Sequence, residues 1–259
     1  LDMEDELKNL PEKSVPTKDD FDFASFITEK IDSKIDLLKS VIQQRNLLGS
    51  VPSEEKFVIL IDIVNFSKND SRTQFADIVI FQKYMRSFIF SRNFSFEKRI
   101  RIENFIPTGD GCYIIAEKCD AVLAVDFLIT MISGFQNLLD FQNEPMGIRC
   151  SALIGECIPF IDLAFHKNYV GDGMNEASRI LAYGQKFLED EYIEKGNSEL
   201  EAKNFSKNSL FLGKSLFADL DFSDVDKNRV SEIHSLKDVV DKHGKIRDVV
   251  VLRGIKKYR

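Results

Sequence analysis

An α+β fold is predicted by three observations. A run of strongly apolar, partly β-branched residues at Phe57–Phe66, FVILIDIVNF, reads as a strand buried on both faces. Helix-period and strand-period segments then alternate along the sequence. Their order is strand, helix, strand, strand, helix, strand, which is the ferredoxin-like βαββαβ arrangement, here followed by extra strands.

At the N-terminal end, Leu1–Asp22 is polar and acidic, with Pro11 and Pro16, and reads as loop or a loosely attached segment. From Phe23 to Leu48 apolar residues recur at three and four: Phe23, Ile27, Ile31, Ile35, Leu38 and Ile42. This is an N-terminal amphipathic helix, laid on the domain's surface or bracing a dimer; the narrow stripe favours the brace. Gly49–Glu55 ends it as a linker, so residues 1–55 form an appendage and 56–259 the main domain. Thr73–Arg92 reads as an aromatic-rich helix, and Arg99–Ala116 as two strands around a Gly109-Asp110-Gly111 turn. Cys119–Phe141 is a second helix with Ala121, Ala124, Phe127, Leu128 and Met131 inward. Met146–Ile158 is a strand and Phe160–Tyr169 its antiparallel partner. A helix bearing Asn175 and Arg179 runs to about Leu188. The charged stretch Glu189–Asn208 reads as an insertion or helix extension, and Ser209–Leu212 and Arg247–Leu252 as closing strands.

Composition narrows the function. The chain of 259 residues is 44% hydrophobic and 30% charged, as in ordinary globular proteins. A net charge of −7 argues against a broad nucleic-acid grip, while leaving room for a local basic pocket. The four cysteines form no CxxC pair, and a reduced, cytoplasmic protein is the simpler reading. No apolar run is read as a membrane span, and no signal peptide is recognised. The sequence opens on Leu1, which points to a longer natural chain. There is no P-loop, GxGxxG, HExxH or Cys/His zinc pattern. His166, His234 and His243 have no partnered Cys or Ser, so a Ser-His-Asp hydrolase is not expected.

Asp62 interrupts the buried strand, where a carboxylate costs several kcal/mol unless it is neutralised. It either reaches solvent at the strand end, caps the next helix, or binds a cation. Asp110 sits at the tip of what is otherwise an ordinary hairpin. Two carboxylates meeting at adjacent strand ends would suit a hard cation. Asn175 and Arg179, four apart, project from one helix face after Gly171-Asp172-Gly173.

These blocks, ILIDIVNFS, PTGDGCYIIA, IRCSALIGECI and GDGMNEASR, occur in an order and spacing that resembles the class III nucleotidyl cyclase catalytic domains, over roughly Lys56–Arg259. The resemblance implies the class III cyclase fold and conversion of a nucleoside triphosphate to its 3′,5′-cyclic monophosphate plus pyrophosphate. It implies that Asp62, Asp110 and the Ile63 carbonyl hold two divalent cations, Mg²⁺ or Mn²⁺. Arg179 would bind the α-phosphate, Asn175 would orient the ribose, and Lys242, or alternatively Lys245, would meet the terminal phosphates. It further implies a homodimer with composite sites, while the charge and the lack of an apolar span lead us to expect no nucleic-acid or membrane partner.

The base-reading positions depart from the family. Adenylyl cyclases carry Lys and guanylyl cyclases Glu where this chain has Ile106, and the adenylyl cyclase Asp is Asn168. The short PTGDG hairpin is similar to that of the pyrimidine cyclases of bacterial Pycsar anti-phage systems. These reach an effector through cyclic UMP or cyclic CMP. Asn168 offers both a donor and an acceptor, permits either pyrimidine, and leans to UTP. The competing expectations are a purine cyclase with an atypical base pocket and a catalytically inactive cyclase-homology domain.

Overall fold

The computed structural model describes residues 52–90, 100–142, 146–162, 166–218, 220, 229–240 and 246–256. The helix expected over Phe23–Leu48, and Lys242, Lys245 and His243, lie outside the described residues. Nearly all of the described residues belong to one compact unit, Ser53–Arg259.

The strands are β1 (Glu54–Ile63), β2 (Ile102–Pro107), β3 (Gly111–Glu117), β4 (Ile148–Ile161), β5 (Lys167–Val170), β6 (Leu210–Gly213), β7 (Glu232–Val240) and β8 (Ile246–Arg253). The helices are α1 (Ser71–Phe90), α2 (Ala121–Gln142), α3 (Asp172–Glu194), α4 (Glu199–Phe205) and the single turn α5 (Lys214–Phe217). Sheet order is β2-β3-β1-β4-β6-β8-β7, with β5 paired to β4. The first four strands thus take the ferredoxin-like order, and all pairings but β4–β6 are antiparallel.

Strand alternation divides the core in two. Phe57, Ile59, Ile61 and Ile63 of β1 face α1 and α2, where Phe81, Met85, Phe88, Leu128, Met131 and Phe135 are buried. Val58 and Leu60 face the other way, toward Ala177, Ile180, Leu181 and Leu188 of α3. Both outer helices begin on an aspartate cap: Asp70 Oδ1 accepts the N–H groups of Arg72 and Thr73, and Asp120 Oδ1 those of Val122 and Leu123. A Cβ on Gly184 of α3 would stand 2.0 Å from the Phe211 ring of β6, so glycine sets how closely helix and sheet approach.

Several boundaries differ from the sequence reading. β1 starts at Glu54 and ends at Ile63, because Asn65 turns the chain in a left-handed conformation (φ 65°). β4 runs through Phe160 and Ile161, which the sequence reading gives to its partner. Pro159 is tolerated there because beyond Cys157 the strand pairs with β5 on one side only. The α3 helix continues to Glu194, so of the two readings of the charged stretch after Leu188 the helix extension holds for its first six residues. The reading that no apolar run matches a membrane span also needs correction. Ala121–Phe141 is long and apolar enough by length and composition, but most of it is buried, with its apolar side packed on the sheet, as in a core helix.

Candidate active site

By the alternation of β1, Asp62 lies on the α3 side of the sheet, the same side as Val58 and Leu60. Its register partners are Gly111 of β3 and Arg149 of β4. The Arg149 guanidinium donates to Asp62 Oδ2 from Nε at 2.7 Å and stands 2.6 Å away through its terminal nitrogen. Both side chains are only 14% exposed.

Asp110 is brought to this pair by the β2–β3 turn. The Ile63 N–H donates to the Asp110 carbonyl at 2.9 Å, and the Thr108 N–H to the Gly111 carbonyl at 3.1 Å. Gly109 takes φ 97°, which favours glycine. Gly111 is needed for a different reason: a Cβ there would fall 1.9 Å from the Ile61 carbonyl oxygen. That glycine allows the strands, rather than a ligand, to approach.

Burial pushes the Asp62 carboxyl up to about 6; Arg149 pulls against this, while the Asp110 charge and hydrogen bond add to it. The folded chain therefore holds this proton more tightly than an unfolded chain, whose carboxyl titrates near 3.8. The associated stability is complete below about pH 4 and is lost as pH rises through 6. In the presence of a chelator, Asp62→Asn should remove that loss. Its gain over the parent should be on the order of 1–3 kcal/mol near pH 7.5 and absent near pH 4. Urea midpoints at the two pH values check this, and an equal effect at both would contradict it.

Two carboxylates repelling one another at adjacent strand ends are suitable oxygen donors for Mg²⁺ or Mn²⁺. Among the described residues no cluster of three or more His, Cys, Asp and Glu forms a self-sufficient metal cage. Two carboxylates alone do not complete a coordination shell, so a cation held there would draw its remaining oxygens from backbone, water or substrate.

The second constellation opens α3. Gly171 (φ 142°) precedes the helix, and the Asn175 N–H donates to its carbonyl at 3.2 Å. The start of the helix is pinned to the sheet by Ser151 Oγ donating to the Ala177 carbonyl (2.7 Å) and Tyr113 Oη donating to that of Met174 (3.2 Å). A Cβ on Gly155 would meet Gly173 Cα at 2.7 Å, so the glycine of IRCSALIGECI serves this close crossing. Asn175 is exposed, and Arg179 is partly exposed, 3.9 Å from Glu176 Oε2. Glu176 also pairs with Arg247, whose side chain is 7% exposed. Arg179 and Arg247 line a cavity of about 560 Å³ with Lys214, Glu156, Asp172 and Glu176. Asp62 and Asp110 are not among its lining residues. Among the described residues, the carboxylates stand together and Asn175 and Arg179 share one helix, and the cavity that Arg179 lines includes neither carboxylate.

Of the base-reading positions, Ile106 is half-buried against the α3-side core. Asn168 Oδ1 accepts the N–H of Tyr169 at 2.8 Å, which fixes the amide's orientation and leaves Nδ2 without an acceptor among the described residues. His166 is exposed, in line with a solvent-facing role. Sequence reasoning missed Arg149, Lys214, Glu176 and Arg247. Arg149 carried the same signal as Asp62, a charge inside an apolar strand.

The topology and the placement of the α3-side elements define the fold of class III nucleotidyl cyclase catalytic domains. The chain is similar to the guanylate cyclase domain of RhGC from Catenaria anguillulae, solved in complex with GTP (TM-score 0.50, 18% identity, 78% of this chain and 98% of that one). It is also similar to a bacterial light-regulated adenylyl cyclase (TM-score 0.50, 15% identity, 89% of this chain and 67% of that one). No family model matches the sequence, and no curated protein matches it.

Proposed function

We propose that the protein is a metal-dependent pyrimidine nucleotide cyclase that converts UTP, in preference to CTP, into the 3′,5′-cyclic monophosphate and pyrophosphate. The observation that carries this reading is the placement of Asp62 beside Asp110 at adjacent strand ends, on the same side of the sheet as the helix bearing Asn175 and Arg179. Asp62, Asp110 and the Ile63 carbonyl would hold two divalent cations. When bound, those cations make the ribose 3′-hydroxyl more acidic and offset the triphosphate charge.

The reaction forms a bond from the ribose O3′ to the α-phosphorus as the 3′-hydroxyl gives up its proton to water. It breaks the bond from that phosphorus to the oxygen bridging to the β-phosphate, and pyrophosphate leaves. Arg179 donates to the α-phosphate oxygens as charge gathers there. Asn175 orients the ribose, and Lys242, or alternatively Lys245, meets the terminal phosphates. The resemblance to class III cyclases, whose sites form between two chains, assigns the complete site to a homodimer, and a cavity lined by Arg179 but by neither carboxylate is compatible with it. There Asp62 and Asp110 face Asn175 and Arg179 of the partner subunit.

Base choice follows from chemistry at two positions. Ile106 offers no hydrogen bond with which to read a purine edge, and its bulk favours a smaller ring. With Oδ1 of Asn168 engaged by Tyr169, Nδ2 remains as a donor. It suits the O4 acceptor of uracil, whereas cytosine presents an amino group at that position. UTP should be turned over at least about tenfold better than ATP or GTP, with CTP the nearest rival. Steady-state kcat/KM values for the four nucleotides test this; a value for ATP at or above those for both pyrimidines would overturn it. We assign the cyclic product to signalling toward a separate effector in cytoplasmic anti-phage defence, which the short PTGDG hairpin supports.

A further inference from the structure

The β5 strand carries Asn168 but stands apart from the main ladder. It pairs with residues 158–161 of β4, beyond Cys157, the last β4 residue in register with β1. Among the described residues no backbone pairing joins β5 to β2, which carries Ile106. Side chains bridge that gap instead. Asn104 Nδ2 donates to the Lys167 carbonyl. The Glu103 carboxylate accepts from Lys167 Nζ at 3.0 Å, from Lys56 Nζ at 2.7 Å and from Tyr169 Oη. The bridged residues, Lys167 and Tyr169, flank Asn168 on both sides.

A break in strand register makes this possible. Ile102 pairs with Ala116 but Asn104 with Ile115, so Glu103 is an extra residue on β2. Such a bulge re-aims a side chain that strict alternation would send to the opposite face. Asn104 and Ile106 belong by register to the α3 side, and Glu103 joins them there to reach Lys56 and Tyr169. The Glu103 side chain is 13% exposed and that of Lys56 9%. Burial alone would raise the Glu103 carboxyl, but the bonds from Lys56, Tyr169 and Lys167 outweigh it and lower it to about 2. The strap is thus ionised and fully partnered, as a buried charge must be to persist.

We propose that Glu103, assisted by Asn104 and Tyr169, is a positioning residue that straps β5 to β2 and so fixes the spacing between Ile106 and Asn168, the two positions assigned to the nucleobase. The inference rests on the cyclase reading for the role of those two positions. It accounts for a buried ion cluster at the end of β1 remote from Asp62, where no catalytic group is assigned.

The test compares the parent with Tyr169→Phe, Asn104→Ala and Glu103→Gln. Tyr169→Phe keeps the buried ring and removes one strap bond, so it remains decisive if Glu103→Gln, which weakens the pairing of Lys56, fails to fold. Hydrogen exchange at residues 167–170 reads the strap with no nucleotide present and should accelerate at least about tenfold in the variants. The UTP-to-ATP ratio of kcat/KM should fall by about tenfold through a higher KM for UTP, with kcat changed less than about threefold. Unchanged exchange, or faster exchange with an unchanged ratio, overturns the proposal. If the parent forms no cyclic product, the cyclase reading fails, and calorimetric binding of UTP and ATP supplies the base preference instead. A parent that binds neither nucleotide overturns both.

Discussion

Asp62→Ala and Asp110→Ala are each expected to abolish cyclisation, with a loss greater than the roughly 10²-fold typical of removing one transition-state donor. In the proposed site the two carboxylates are the principal hard donors, and the Asp110 charge that raises the Asp62 carboxyl is what a cation would relieve. The two substitutions differ in their effect on folding. Asp110 sits in the hairpin turn, where its backbone carbonyl holds Ile63 whatever the side chain. Asp62→Ala removes the partner of Arg149, whose side chain is only 14% exposed, so some loss of stability accompanies it. Asp62→Asn separates the effects, because the amide oxygen still accepts from Arg149 while charge and metal affinity are lost. Product formation at saturating Mn²⁺, measured beside thermal melts, checks both. Near-normal turnover by any of the three variants would contradict the two-carboxylate site.

Arg179→Ala should be equally inactive, and its behaviour in mixtures is more informative than its inactivity. In a homodimer with shared sites, Asp62→Ala and Arg179→Ala damage complementary halves. Their heterodimer holds one doubly damaged site and one intact site. After full exchange of equal amounts, half the dimers are mixed, so activity should return to about one quarter of the parental value. Arg179→Lys should not substitute for the parent, since a single ammonium cannot present a planar pair of donors to phosphate oxygens. If exchange is demonstrated by mass-tagged subunits and no activity returns, each site lies within one chain.

The parts of this structure that the sequence made legible are those where burial and chemistry conflict. The central strand is readable because an apolar run has few alternatives, and Asp62 because a carboxylate there demands a partner. Arg149, a charge inside IRCSALIGECI, demands one equally, and its ion pair was open to the same reasoning. The β7 strand is hard to recognise because Ile233 is 38% exposed and the segment EIHSLKDVV alternates weakly between apolar and polar residues. The last turns of α3 are charged and half-exposed, so apolar periodicity alone leaves them readable as either an insertion or a helix extension. The strap between β2 and β5 is not legible at all. It depends on a one-residue register shift, and nothing in the local composition of RIENFIP marks which residue is the extra one.

The proposed function turns on a single chemical event, closure of a nucleoside triphosphate on its own ribose. The most direct measurement incubates the full chain with ATP, GTP, CTP and UTP together with Mn²⁺ and identifies cyclic products by mass spectrometry. Cyclic UMP as the dominant product, with cyclic CMP as the next most abundant and neither formed by Asp110→Ala, is the expected result. Absence of any cyclic nucleotide from a folded, dimeric protein, or a product dominated by cyclic AMP or cyclic GMP, would contradict it.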